Sequence, residues 1–72
     1  MNAQQKAENF EFLCNEKENC NAEIVGKIDE TTVSFDVYGS IPGSALRYAQ
    51  NKGFIDQIFN KENKITIWVI FE

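Results

Sequence analysis

Histidine is absent from this chain, and proline, tryptophan and arginine each occur once. Without an imidazole the chain lacks the commonest general base and the commonest metal ligand. A Ser-His or Cys-His nucleophile pair cannot be assembled from these residues alone. Cysteine is scarce as well: Cys14 and Cys20 are the only two. Their spacing is not Cys-x-x-Cys, so no redox motif is indicated. Two thiols without histidine fall short of the roughly four ligands of a zinc site. They read as free thiols of a reducing cytosol, with a disulfide across a turn as the alternative in an oxidising setting. No run approaches the ~18 apolar residues of a membrane span. Residues 1–7 have no apolar h-region of a secretory signal. The expectation is a cytoplasmic chain with no membrane partner, no cofactor and no evident small-molecule substrate.

What is present is an ordinary globular mixture, 43% hydrophobic and 25% charged, so a folded domain rather than a disordered one is expected. Seventy-two residues make one domain, at the small end of what folds alone. The net charge of −4 is unevenly placed. Residues 1–40 hold eight acids and three lysines, a net of −5. Residues 41–72 hold three acids against Arg47, Lys52, Lys61 and Lys64, a net of +1. An acidic half argues against autonomous nucleic-acid binding, which needs clustered cations. It suits a basic protein partner, or solubility alone. Six lysines and eight asparagines beside one arginine also suggest A/T-rich coding, as in a low-GC bacterium or its phages.

The clearest structural signal is the final stretch, 64–72, which is β-branched and aromatic and free of Gly and Pro. It reads as a strand paired on both sides. Residues 1–8 read as a frayed tail. Phe10 and Phe12 alternate with Glu11, a short strand signal over 9–14. Residues 15–21 are polar and Asn-rich, a loop. Residues 22–28 and 31–38 form a hairpin around Asp29 and Glu30. If Ile28 faces Thr31, the pairs Gly26/Val33, Ile24/Phe35 and Ala22/Val37 share one apolar face. The opposite face, with Lys27/Thr32, Val25/Ser34 and Glu23/Asp36, is mostly polar.

Gly39, Pro42 and Gly43 stop the ladder, and Ser40 or Ser44 can cap a helix over 45–52. Lys52 followed by Gly53 ends it. Residues 54–59 then return as a strand, with 60–63 as the turn and Phe59 facing Lys64. This register pairs Ile58/Ile65, Asp56/Ile67 and Phe54/Val69 on one face, and Gln57/Thr66 and Ile55/Trp68 on the other. Asp56 on the apolar face is a flaw in that register. The rival is a helix bent at Gly53 and running to residue 60. The order β-β-β-α-β-β, its first strand resting on the weakest signal, gives an α+β two-layer sandwich: one antiparallel sheet with one helix on one face.

For chemistry, Asp29, Glu30, Asp36 and Asp56 read as solvated acids rather than an acid/base pair. Residues 41–45 lack the P-loop pattern and read as a strand-to-helix turn. Tyr38, Trp68 and Phe71 are available as stacking platforms, with core or sheet packing as the plainer reading. If Ile65, Ile67, Val69 and Phe71 face the helix, then Trp68 and Ile70, with Ile55 beside them, form an apolar patch on the far face. Small proteins seldom leave such a patch bare. The segment holding Phe10 and Phe12, a second copy or a partner would cover it.

The stretch 38–46, Tyr-Gly-Ser-Ile-Pro-Gly-Ser-Ala-Leu, resembles a Tyr-Gly-Leu-Pro-Gly-Ser-x-Leu segment in a family of small phage inhibitors of type I-F CRISPR systems. The match needs a gap and sits elsewhere in the chain, so no residue roles are carried over.

Two functions are therefore expected. The first is a non-enzymatic, acidic protein-interaction module, acting on a protein partner or as a homodimer. It would use Ile55, Trp68 and Ile70 together with Glu16, Glu18, Glu23, Asp29 and Glu30. Its narrower form is a phage or mobile-element inhibitor or regulator that occupies a basic surface of a host protein. The second is a homodimeric regulatory domain associated with nucleic acid through Arg47, Lys52, Lys61 and Lys64.

Overall fold

The computed structural model of the protein describes residues 2–72. It contains helix α1 (Ala3–Asn15), strands β1 (Cys20–Lys27) and β2 (Thr32–Gly39), helix α2 (Gly43–Lys52), and strands β3 (Gly53–Lys61) and β4 (Lys64–Phe71). The four strands form one antiparallel sheet in the order β1-β2-β4-β3. Both helices pack on one face of it, where Ala7, Phe10, Cys14, Ala45 and Ala49 meet Val33, Phe35, Val37, Ile67, Val69 and Phe71 in a single core. The molecule is a two-layer α+β protein, with two helices rather than one.

The second helix corrects the reading of 9–14 as a strand and of 1–8 as a tail, of which residue 1 lies outside the described residues. Phe10 and Phe12 would share a face of a strand, but α1 places them on nearly opposite sides. Phe10 is fully buried and Phe12 is 65% exposed. The spacing Ala7, Phe10, Cys14 follows one helical face and enters the core. Asn2 and Gln5 start the helix reciprocally. The Asn2 side chain accepts from the Gln5 amide at 2.9 Å, and the Gln5 side chain accepts from the Asn2 amide at 3.1 Å. This capping box satisfies two amide donors at the helix entry.

From α1 the chain turns tightly into β1. The Lys17 amide donates to the Cys14 carbonyl and the Cys20 amide to the Lys17 carbonyl. Asn15 then acts as a substitute strand for β1: its side chain accepts from the Ala22 amide at 2.6 Å and donates to the Ala22 carbonyl at 3.0 Å. Glu11 accepts from the Ile24 amide at 3.2 Å. These bonds supply partners for the outer backbone of an edge strand, which otherwise presents open donors and acceptors.

The first hairpin keeps the expected pairs Ala22/Val37, Glu23/Asp36 and Ile24/Phe35, then slips by one residue. Gly26 pairs with Ser34 and Lys27 with Val33, so Gly26/Val33, Val25/Ser34 and Lys27/Thr32 do not form. A bulge at Val25 absorbs the extra residue. The turn explains the slip. The Asp29 carboxylate accepts from the Thr31 amide at 3.0 Å and from the Thr32 amide at 2.8 Å, and the Ile28 amide donates to the Thr32 carbonyl. Closure therefore falls at Ile28/Thr32, not Ile28/Thr31.

The second hairpin departs further from expectation. Its turn is Glu62-Asn63 alone, with Glu62 at φ 49°, and Lys61 faces Lys64. Phe59 pairs with Thr66, Ile58 with Ile67 and Gln57 with Trp68. A bulge at Asp56 then shifts the register, so Ile55 pairs with Val69 and Phe54 with Ile70. The bulge resolves the misplaced acid: Asp56 is the unpaired residue, and it is exposed. Helix α2 ends at Lys52 as the Lys-Gly signal predicts, with Pro42 as its N-cap residue and no side-chain cap. β4 is flanked on both sides, by β2 and β3.

Candidate functional site

The helices occupy one face of the sheet; the other is open. The registers fix which residues line it. Four rows cross the strands in the order β1, β2, β4, β3. One end row is Asn21, Tyr38, Lys64 and Lys61. Next come Glu23, Asp36, Thr66 and Phe59, then Gly26 with the bulged Val25, Ser34, Trp68 and Gln57. The last row is Thr32, Ile70 and Phe54, with Ile28 bonded beside Thr32. The face thus grades from charged at one end to apolar at the other.

Its apolar groups are large and accessible. Val25 is 59% exposed, Ile28 50%, Phe54 49% and Phe59 46%. Trp68 and Ile70 are half-buried between them. Trp68 lies edge-on to Phe59, with ring centroids 5.5 Å apart. These two rings, with Asn60, Lys61, Lys64 and Thr66, line an open concavity of about 540 Å³. Asp36 organises the charged end: it accepts from the Thr66 hydroxyl at 2.9 Å and lies 3.5 Å from the Lys64 ammonium. Chemically, such a face offers shape, ring surface and a few fixed charges to a partner.

The sequence-derived residues are only partly brought together. Trp68 and Ile70 lie on the open face, while Ile65, Ile67, Val69 and Phe71 face the helices, as the alternation predicts. Ile55 does not join them. The Asp56 bulge turns it to the helix side, where it pairs with Val69 and packs against the core. Phe54 and Phe59 take its place, and the bulge is what sets residues five apart on one face. Nor does α1 cover the patch, because Phe10 packs against Phe35 on the opposite side, with ring centroids 4.6 Å apart.

The expected acidic surface is dispersed. Glu16 and Glu18 follow α1 at one end of β1, Glu23 lies within it, and Asp29 and Glu30 sit in the turn at the other end. Asp29 also has a structural role, since the amides of Thr31 and Thr32 hold its carboxyl below the usual carboxylate range. The basic set is split in two: Lys61 and Lys64 face each other across the second hairpin, whereas Arg47 lies on α2 and Lys52 ends it, about 30 Å from Lys61 along an extended strand.

Asp29 therefore gives a pH prediction. Its hydrogen bonds stabilise the hairpin fully above the unfolded carboxylate pKa of about 3.9, and the contribution is lost as pH falls through the lower folded value. Asp29→Asn keeps an acceptor but does not titrate. Thermal melting of the variant is expected to fall less steeply in acid than that of the parent. Parallel acid limbs would refute this role.

Cys14 and Cys20 are free, buried thiols in contact with each other. Burial first, then Cys20 and Glu11, push the Cys14 thiol up to about 12. Burial raises Cys20 as well, partly offset by its hydrogen bond with Cys14. Such thiols behave as small core hydrophobes rather than nucleophiles. Among the described residues no cluster of His, Cys, Asp and Glu is placed to hold a metal ion, and no helix is long and apolar enough to cross a membrane.

The fold and its open face define a class, a two-layer α+β domain with a bare sheet surface. Comparison with protein-family models, with curated proteins and with solved structures finds no match to this chain.

Proposed function

We propose that this chain is a non-enzymatic protein-interaction module and that its working surface is the open sheet face. One observation carries the reading: Ile28, Phe54, Phe59, Trp68 and Ile70 lie on the face the helices leave uncovered, with the exposed, bulged Val25 at its β1 edge. Contiguous exposed apolar area of this kind marks protein contact sites. Aromatic anchors beside a charged margin are the composition of interface centres and rims. The acidic residues contribute net charge and solubility rather than one docking patch, because they are spread along β1 and both of its ends.

The test uses Phe59→Ser and Phe54→Ser in the full-length chain. Each side chain is about half exposed, so each replacement is expected to cost no more than about 1 kcal/mol of stability. Association with a protein partner, read by co-purification and native mass, is expected to be lost in both. Loss of the folded state in both variants would show that the face is structural and would sink the reading. So would association with DNA or RNA oligonucleotides that weakens steeply with salt, the behaviour of a phosphate-binding surface.

A further inference from the structure

Resting on that reading, we propose that the occupant of the open face is a second copy of this chain, related by a two-fold axis running along the strands. Such an axis lays β1 of one protomer over β3 of its partner and β2 over β4, and it keeps each row of the face opposite the same row. The two apolar rows then meet their own copies, and in the row beside them Phe59 lies over Glu23. Trp68 lies over the small Ser34, Ile70 over Thr32 and Phe54 over Ile28. Ser34 and Thr32 are only 5% and 4% exposed, so the large side chains around them, and not the two hydroxyls, make the contact.

The charges agree with the same axis. The acids Glu23 and Asp36 lie on the β1-β2 half, and Lys61 and Lys64 on the β3-β4 half, one row away. The axis brings Glu23 of each protomer diagonally against Lys61 of its partner, while Asp36 and Lys64 already pair within each chain at 3.5 Å. An axis across the strands would instead reverse the row order and set the lysine end on the Phe54 end. Within one chain Glu23 and Lys61 are three strand spacings apart, about 14 Å, so they do not pair internally. An isologous contact needs a self-complementary surface, and a face with acids on one half and cations on the other meets that requirement.

Area sets the strength. Four strands about 4.8 Å apart and roughly eight residues long span a plane of about 500 Å². Specific stable interfaces bury at least ~600 Å² per partner, so a face of this size makes a weak, transient contact. The sheets would pack face to face about 10 Å apart, giving four layers, helices outside.

The experiment is sedimentation of the full chain from about 1 to 500 µM, a range that brackets micromolar association. A monomer–dimer equilibrium is expected. Lys61→Glu and Glu23→Lys are each expected to weaken it by about tenfold or more, as like charges then meet across the axis. Both changes in one chain are expected to restore it to within about threefold, because the pair re-forms with reversed sign. A chain that stays monomeric throughout overturns the second copy, as does a dimer that the double exchange fails to rescue. Phe59→Ser separates this proposal from the one beneath it. If the parent chain is monomeric and Phe59→Ser folds normally, only the second copy falls. If Phe59→Ser and Phe54→Ser both unfold the chain, the docking face falls with it.

Discussion

Phe35→Ala is expected to leave no cooperative unfolding transition at 37 °C. Phe35 is fully buried on β2, one of the two central strands, and its ring contacts Phe10 at 4.6 Å and Phe71 at 6.3 Å. It therefore joins the first helix to the last strand. Removing a buried phenyl ring costs about 3–5 kcal/mol. A core of this size supplies net stability on the order of 3–5 kcal/mol, so the loss is comparable to the whole. Circular dichroism melting would show it, with Phe12→Ala as the control. Phe12 is 65% exposed, and its replacement is expected to stay within about 0.5 kcal/mol of the parent. A Phe35→Ala variant that melts cooperatively within a few degrees of the parent would contradict this core.

The second large effect is at Gly39, where the replacement adds a single carbon. Gly39 adopts φ 100°, a region that side-chain-bearing residues rarely enter. A Cβ there would run into the backbone carbonyl of Asn19, whose oxygen already accepts from the Ser40 amide at 3.1 Å. The obstacle is backbone on the neighbouring chain segment, so no rotamer change relieves it. Backbone strain of about 1–3 kcal/mol and a comparable overpacking cost lead to an expected loss of roughly 2–4 kcal/mol for Gly39→Ala. Gly26 is the internal control, because a Cβ there meets nothing within 4 Å. Urea titration of both variants checks the contrast, and equal midpoints would refute it.

Legibility varied with how local each signal was. The end of α2 was readable because Lys52 and Gly53 state it within two residues. The first half of the β1-β2 register is legible because a turn at Asp29-Glu30 together with alternation puts Ala22, Ile24, Phe35 and Val37 on one face. The α1 helix is masked in the sequence because Phe10-Glu11-Phe12 shows period two over three residues. The helical period needs Ala7 through Cys14 to appear, supported by the Asn2-Gln5 cap. Both bulges are equally hidden from local pattern. A bulge is one residue's departure from alternation, and it is chosen by what lies across the strand. Asp56 on an apolar row was the one local sign of it.

The sequence by itself determined that this is an α+β chain with a β-branched, aromatic last strand whose alternate residues face the core. That much follows from side-chain period and turn residues, which act over a few positions. Only the tertiary structure decided what the last strand's other side becomes. Trp68 and Ile70 sit on an open face because both helices converge on the opposite one. Phe54 and Phe59 join them, and Ile55 does not, because the bulge at Asp56 changes which way the strand's residues point. The physical reason is that a face is a property of register, and register is settled by packing between segments distant in sequence.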